Sequence, residues 1–179
     1  MRLFISLNFD ANTVESFCNL QSMLRDNGVE GNFTKPQNLH MTLAFIGEYG
    51  KPDDVLDVME EVPFRYIPIC FSDVYVHREM VLVSIAHNPG LESYVRRLRR
   101  ALAEKGIPFD RKNFNPHITL VRKAVLKNGL PDNLLKKSGL RTTDADLVSL
   151  MQSTRGKNGM IYTDLGHISG QVIDCCLNN

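Results

Sequence analysis

Two tetrapeptides in this chain share the pattern His-x-Thr-Leu: His40-Met41-Thr42-Leu43 and His117-Ile118-Thr119-Leu120, 77 residues apart. In a strand, residues two apart point to the same face at a spacing of about 6.6 Å, so each His shares a face with its Thr. Met41 and Leu43, or Ile118 and Leu120, then face a core. On a helix the same pair would point in nearly opposite directions, so the spacing predicts two strands. An imidazole, with an ordinary pKa of about 6.5, can be a neutral base or a charged acid at the same pH. A phosphodiester displaced in line needs a base on the attacking side of phosphorus and an acid on the leaving side. Each Thr hydroxyl can donate a hydrogen bond to a non-bridging oxygen, where negative charge grows in the transition state. The symmetry of the pattern leaves open which His is acid and which is base.

The elements that must position these strands repeat. Residues 2–9 (RLFISLNF) read as a buried strand, and Asn12 or Thr13 is the expected cap of a helix carrying Val14, Phe17, Leu20 and Leu24, closed by Asn27-Gly28. A Pro-containing loop (35–38) leads to a strand over 39–47, and Pro52 opens an acidic helix to about Val62. Strands over 65–77 and 80–85 form a hairpin around Arg78-Glu79. Then strand, Asn88-capped helix (Leu91, Val95, Leu98, Leu102), Gly106, loop and a strand over 117–121 follow. Leu3 precedes His40 by 37 residues and Val81 precedes His117 by 36, so one β-α-β unit occurs twice. The last third reads as a short helix near 131–137 and strands near 144–153 and 160–168, joined by Gly156-Lys157-Asn158-Gly159. The expected architecture is α+β: one domain over 1–179 made of two pseudo-symmetric lobes, each an antiparallel sheet backed by helices, around a central cleft.

Composition bounds the partners. With 21 basic and 20 acidic residues in 179, the chain is no general nucleic-acid coat, so contact with an anion must be local. Charge is uneven: Leu91–Lys127 carries ten Lys and Arg against three acidic residues, and Glu48–Glu61 carries six acidic residues against one basic. Cys18, Cys70, Cys175 and Cys176 have no metal or disulfide spacing and are expected to be free thiols. A zinc reading of His40 and His117 lacks a third ligand at suitable spacing. No leader pattern and no long apolar run occur, so the expected place is the cytoplasm, with no membrane contact and a monomer as the default.

The wording RLFISLNFD, NLHMTLAFIG, FNPHITLVRK and SLMQSTRGKNGMIYTDL resembles the 2H phosphoesterase superfamily over nearly the whole chain. Within it, the likeness is to the bacterial and archaeal RNA 2′,3′-cyclic phosphodiesterases, also called 2′-5′ RNA ligases. The resemblance implies metal- and ATP-independent hydrolysis of RNA 2′,3′-cyclic phosphate ends to 2′-phosphates, with weak reverse 2′-5′ ligation and no cofactor. It implies that His117 accepts a proton from water, that His40 donates one to the departing 3′-oxygen, and that Thr42 and Thr119 hold the phosphate. Relatives often carry Arg at the position of Arg122, although strand alternation from His117 points Arg122 away from the cleft. Related superfamily substrates, ADP-ribose cyclic phosphate or 2′-5′ oligoadenylate, would use the same residues, and a noncatalytic RNA-binding domain is the reading from another class.

Other candidates have bland readings. His77, His87 and His167 are expected on the surface, and Arg96, Arg97, Arg99 and Arg100 on a solvated helix face. Lys35, Lys112, Lys123 and Arg155 are candidate phosphate contacts at the cleft or its rim. Phe9, Phe33 and Phe114 are the aromatics that could stack a base.

Overall fold

The computed structural model describes residues 1–145, 147–157 and 159–170. Asn158, Cys175 and Cys176 lie outside the described residues. The apolar run at the start of the chain forms β1 (Arg2–Asn8), with Leu3, Ile5 and Leu7 fully buried. Asp10, in extended conformation, caps α1 (Ala11–Asp26), its carboxylate accepting the Thr13 N–H at 2.8 Å. The cap therefore falls before the expected Asn12 or Thr13, and the Thr13 hydroxyl is instead buried against Thr143 Oγ1 at 2.9 Å. Between the helix end at Gly28 and the loop over 35–38, where no element was expected, runs an edge strand, β2 (Val29–Phe33), too short and polar to announce itself. A 3-10 turn (Pro36–Asn38) leads into β3 (Met41–Glu48), and Pro52 opens α2 (Pro52–Glu61) as expected.

The single strand expected over 65–77 is two. β4 (Ile67–Ile69) pairs elsewhere, while β5 (Phe71–His77) forms the hairpin with β6 (Met80–Ile85). Pro68 in the middle of β4 has no N–H to donate, which suits it to a short separate ribbon. Asn88 caps α3 (Pro89–Glu104) by accepting from Leu91 N at 3.0 Å. Then come β7 (His117–Leu126), α4 (Leu134–Ser138), β8 (Thr143–Ala145), β9 (Leu147–Gly156) and β10 (Gly159–Ser169). β4 and β8 form the two-stranded ribbon.

The fold is α+β, and its main sheet consists of two antiparallel halves. One runs β10-β9-β1-β3; the other is β5-β6-β7 with β2 on the free side of β7. The halves meet through one pairing, Met41 with Ile118, the residues between His and Thr in the two motifs. Each crossover helix leaves one half and covers the other. α1 follows β1 but packs on β2, β7 and α4, and α3 follows β6 but packs on β3 and α2. The exchange buries Phe17, Leu20 and Leu24 of α1, and Leu91, Val95, Leu98 and Leu102 of α3, in one continuous core. Among the described residues, no helix is long and apolar enough to cross a membrane.

Candidate active site

Both motifs lie where the halves meet, and both carry the same backbone irregularity. Opposite β1, Ser6 pairs with Thr42 and Ile5 with Ala44, leaving Leu43 unpaired; opposite β6, Leu82 pairs with Thr119 and Val81 with Val121, leaving Leu120 unpaired. The Leu of each His-x-Thr-Leu is thus the extra residue of a β-bulge. The bulge breaks the two-residue alternation, so Leu43 and Ala44, and likewise Leu120 and Val121, are consecutive buried residues. Simple alternation points Arg122 away from the cleft; the extra residue at Leu120 returns it to the face of His117 and Thr119.

Each crossover helix sends a side-chain donor to the carbonyl of one bulged Leu, and Leu120 O also accepts the Thr34 N–H at 2.9 Å. Gln21 of α1, buried, donates Nε2 to Leu120 O at 2.9 Å and to Thr34 O at 2.8 Å. Arg99 of α3 donates Nη2 to Leu43 O at 3.2 Å and Nη1 to Lys112 O at 2.8 Å. Both side chains stand ten residues after the start of their helices, at matching places in the repeat. Arg99 is therefore not part of a solvated face: it is half-buried over the Phe114 ring, and burial lowers its pKa. Arg100 does pair outward, with Glu104 at 2.8 Å.

The two imidazoles are held alike. His40 Nδ1 lies 2.7 Å from Asn38 O and His117 Nδ1 lies 2.8 Å from Asn115 O, each the carbonyl two residues earlier. A carbonyl only accepts, so each Nδ1 carries the proton and each Nε2 is left for chemistry. Asn38 also donates Nδ2 to Met160 O at 2.9 Å, tying the β9–β10 hairpin to the first motif. One cavity of about 620 Å³ is lined by His40, Thr42, His117, Thr119 and Arg122 together with Lys35, Phe33 and Tyr162. Its volume suits a nucleotide-sized ligand.

The surroundings break the symmetry of the motifs. His40 lies against Phe4, ring centroids 4.9 Å apart, and meets Tyr162 edge-on at 5.3 Å, while its Nε2 is 3.2 Å from Thr42 Oγ1. Burial drives its pKa down to about 4; the Asn38 carbonyl opposes the fall, and the charges of Arg122 and His117 add to it. In the free protein at neutral pH, His40 is an uncharged imidazole.

Phe4 and Tyr162 were not singled out from sequence, because each meets His40 only through strand pairing across the sheet. Of the aromatic candidates, Phe33 lines the cavity with the Arg25 guanidinium 3.9 Å from its ring centroid. Phe9 instead packs edge-on against Phe17, and Phe114 lies beneath Arg99. Lys35 lines the cavity; Lys112 pairs with Asp110 at 3.3 Å, and Arg155 lines a neighbouring groove. Lys123 is exposed, with φ +51°, inside β7 just beyond Arg122, where the pairing with β2 is irregular. There β2 approaches so closely that a Cβ at Gly31 would meet Arg122 O, Lys123 O and Val121 Cγ1 at 2.9 Å. His77 is exposed, and His87 and His167 pair at the surface with Glu92 at 3.1 Å and Asp164 at 3.4 Å. Among the described residues, no three His, Cys, Asp or Glu side chains cluster as metal ligands would.

A two-part sheet with a His and a Thr from each half around one cavity is the arrangement that the resemblance to two-histidine phosphoesterases leads one to expect. The family profile described as LigT like Phosphoesterase matches residues 83–162. An Aquifex aeolicus protein named RNA 2′,3′-cyclic phosphodiesterase is 31% identical over 152 residues, covering 75% of this chain and 79% of its own. One of the same name from Archaeoglobus fulgidus is 27% identical over 176 residues, covering 92% and 98%. Among solved structures, apo E. coli LigT superposes with a TM-score of 0.78 at 23% identity, covering 95% of this chain and 98% of that one. A Thermus thermophilus protein gives 0.71 at 22%, covering 96% and 100%. The chain belongs to the LigT-like phosphoesterases of the 2H superfamily.

Proposed function

We propose that the chain, as one domain of two duplicated lobes, hydrolyses RNA 2′,3′-cyclic phosphate ends to terminal 2′-phosphates, as the names of its relatives indicate for those proteins. The observation that carries the proposal is the pair of imidazoles on one cavity, each with Nδ1 tied to a backbone carbonyl and Nε2 left for proton transfer. Water attacks phosphorus as His117 Nε2 takes its proton; the bond from phosphorus to the 3′-oxygen breaks, and His40 Nε2 returns a proton to that oxygen. Thr42, Thr119 and Arg122 hold the non-bridging oxygens, Arg122 as the charged donor. Because the two imidazoles supply both proton transfers, the reaction calls for no metal or nucleotide cofactor. A cytoplasmic monomer completes the proposal, and weak 2′-5′ ligation is the reverse of the same step.

The low pKa of His40 gives the donor role a condition. His40 must be charged to donate, and a bound phosphate anion favours that state by offsetting the charge of Arg122 and stabilising the imidazolium. Substrate thus arms its own acid. The test is incubation with 2′,3′-cyclic-ended RNA in EDTA, followed by identification of the product. A 2′-phosphate is expected, and His40→Ala or His117→Ala should each lower turnover by about 10² to 10⁴ while leaving the circular dichroism unchanged. A 3′-phosphate product, or near-normal turnover in either variant, would overturn the assignment.

A further inference from the structure

Beside the catalytic cavity lies an open groove that the reaction just described does not use. The two share Gly159 and Met160 as a common wall, and the groove continues to Arg155, Arg2 and Glu48. Strand register makes cavity and groove one surface. β9 and β10 pair Ser153 with Tyr162 and Arg155 with Met160, and β1 and β9 pair Phe4 with Met151. By two-residue alternation, Arg2 and Phe4 of β1, Met151, Ser153 and Arg155 of β9, and Met160 and Tyr162 of β10 share one face. Phe4 and Tyr162 are the rings against His40. One two-residue step along the strands, about 6.8 Å, leads from Tyr162 to the Met160–Arg155 pair.

The charge of this strip fits a polyanion. Among the described residues, neither Arg155 nor Arg2 has a carboxylate within ion-pair distance; the Arg2 guanidinium sits 5.1 Å from the Phe45 ring centroid. Glu48, the one acidic residue among the described residues that line the groove, is engaged by the Met1 amine at 3.4 Å. The wall nearest the cavity is held in place, because Asn38 donates to Met160 O two residues before His40. Two arginines without acidic partners, on a surface continuous with a phosphate-handling cavity, match a single strand whose terminal nucleotide occupies the cavity.

We propose that this groove takes the phosphates of the nucleotides that precede the cyclic end of a single-stranded RNA, with Arg155 and Arg2 as its contacts. It makes the enzyme prefer cyclic-ended oligonucleotides to cyclic mononucleotides. The proposal rests on the reaction assigned to the cavity, and the test separates the two. Wild type and the R2Q/R155Q variant are assayed on a 2′,3′-cyclic mononucleotide and on a short single-stranded RNA with the same cyclic terminal nucleotide, across a series of salt concentrations. The variant should raise KM for the RNA roughly tenfold and reduce the logarithmic salt dependence of its kcat/KM by about 1.4, two contacts at about 0.7 each, and leave the mononucleotide unaffected. An RNA KM unchanged by the variant, or an equal change for both substrates, would overturn the groove assignment while cyclic-phosphate hydrolysis stood. Failure of wild type to open either substrate would instead overturn the reaction.

Discussion

The half-buried setting of His40 makes acid stability a direct test of the site. Its pKa is 6.5 in an unfolded chain and about 4 in the folded protein, mainly because burial disfavours the imidazolium. Between these values the unfolded state binds the proton and the folded state does not. The stability this group contributes is therefore fully present above about pH 6.5, and is lost as pH falls through that window toward 4. Linkage over the two values gives a loss of about 2 kcal/mol between pH 7 and pH 5, rising to about 3 kcal/mol once pH falls below 4. The perturbation is His40→Gln, which keeps a polar side chain near the Asn38 carbonyl but cannot titrate. Urea unfolding of both proteins at pH 7, 6 and 5 measures the difference, and carboxylate contributions cancel in the comparison. Wild type should lose about 2 kcal/mol more than the variant over this range. Parallel loss in the two proteins, within about 0.5 kcal/mol, would mean that His40 is solvated and that the packing of Phe4 and Tyr162 does not set its charge state.

Three further outcomes follow from the geometry. Arg122→Gln should raise the His40 pKa measured without added phosphate, read from its ring-proton NMR titration, and should weaken binding of inorganic phosphate, since Arg122 both repels the imidazolium and supplies a charged donor. Gln21→Leu removes the amide that donates to both Leu120 O and Thr34 O, leaving Leu120 O only the Thr34 N–H; it should cost about 1–3 kcal/mol in urea unfolding and raise KM for the cyclic end, with Gln21→Asn too short to rescue either. Gly31→Ala should destabilise by about 1–3 kcal/mol, because the added carbon meets two backbone carbonyls of β7 and φ there is +146°; thermal unfolding checks it.

Much of the site was legible because its signals are local. The His-x-Thr spacing specifies strands, and the matched helices with Pro, Asn and Gly at their ends mark the repeat that brings two such strands together. Arg99 was misread because a run of four basic residues on a helix looks solvated. Its partner is the Leu43 carbonyl of a strand 56 positions away, at a bulge that no sequence pattern reveals. The groove is of the same kind, since Arg2 and Arg155 share a face only once β1 and β9 are in register.

By itself, the sequence singled out the two His-x-Thr-Leu tetrapeptides as candidate reacting groups and the strands that carry them, since these follow from residue type and from two periodicities of the backbone. Tertiary structure alone decided how far the duplication extends into chemistry. The bulge at Leu120 turned Arg122 back onto the catalytic face, against simple alternation. Phe4 and Tyr162, brought over His40 by strand pairing, are part of the burial that holds the pKa of this imidazole well below its ordinary value. An imidazole titrates according to the dielectric and the charges around it, and those come from residues distant in sequence.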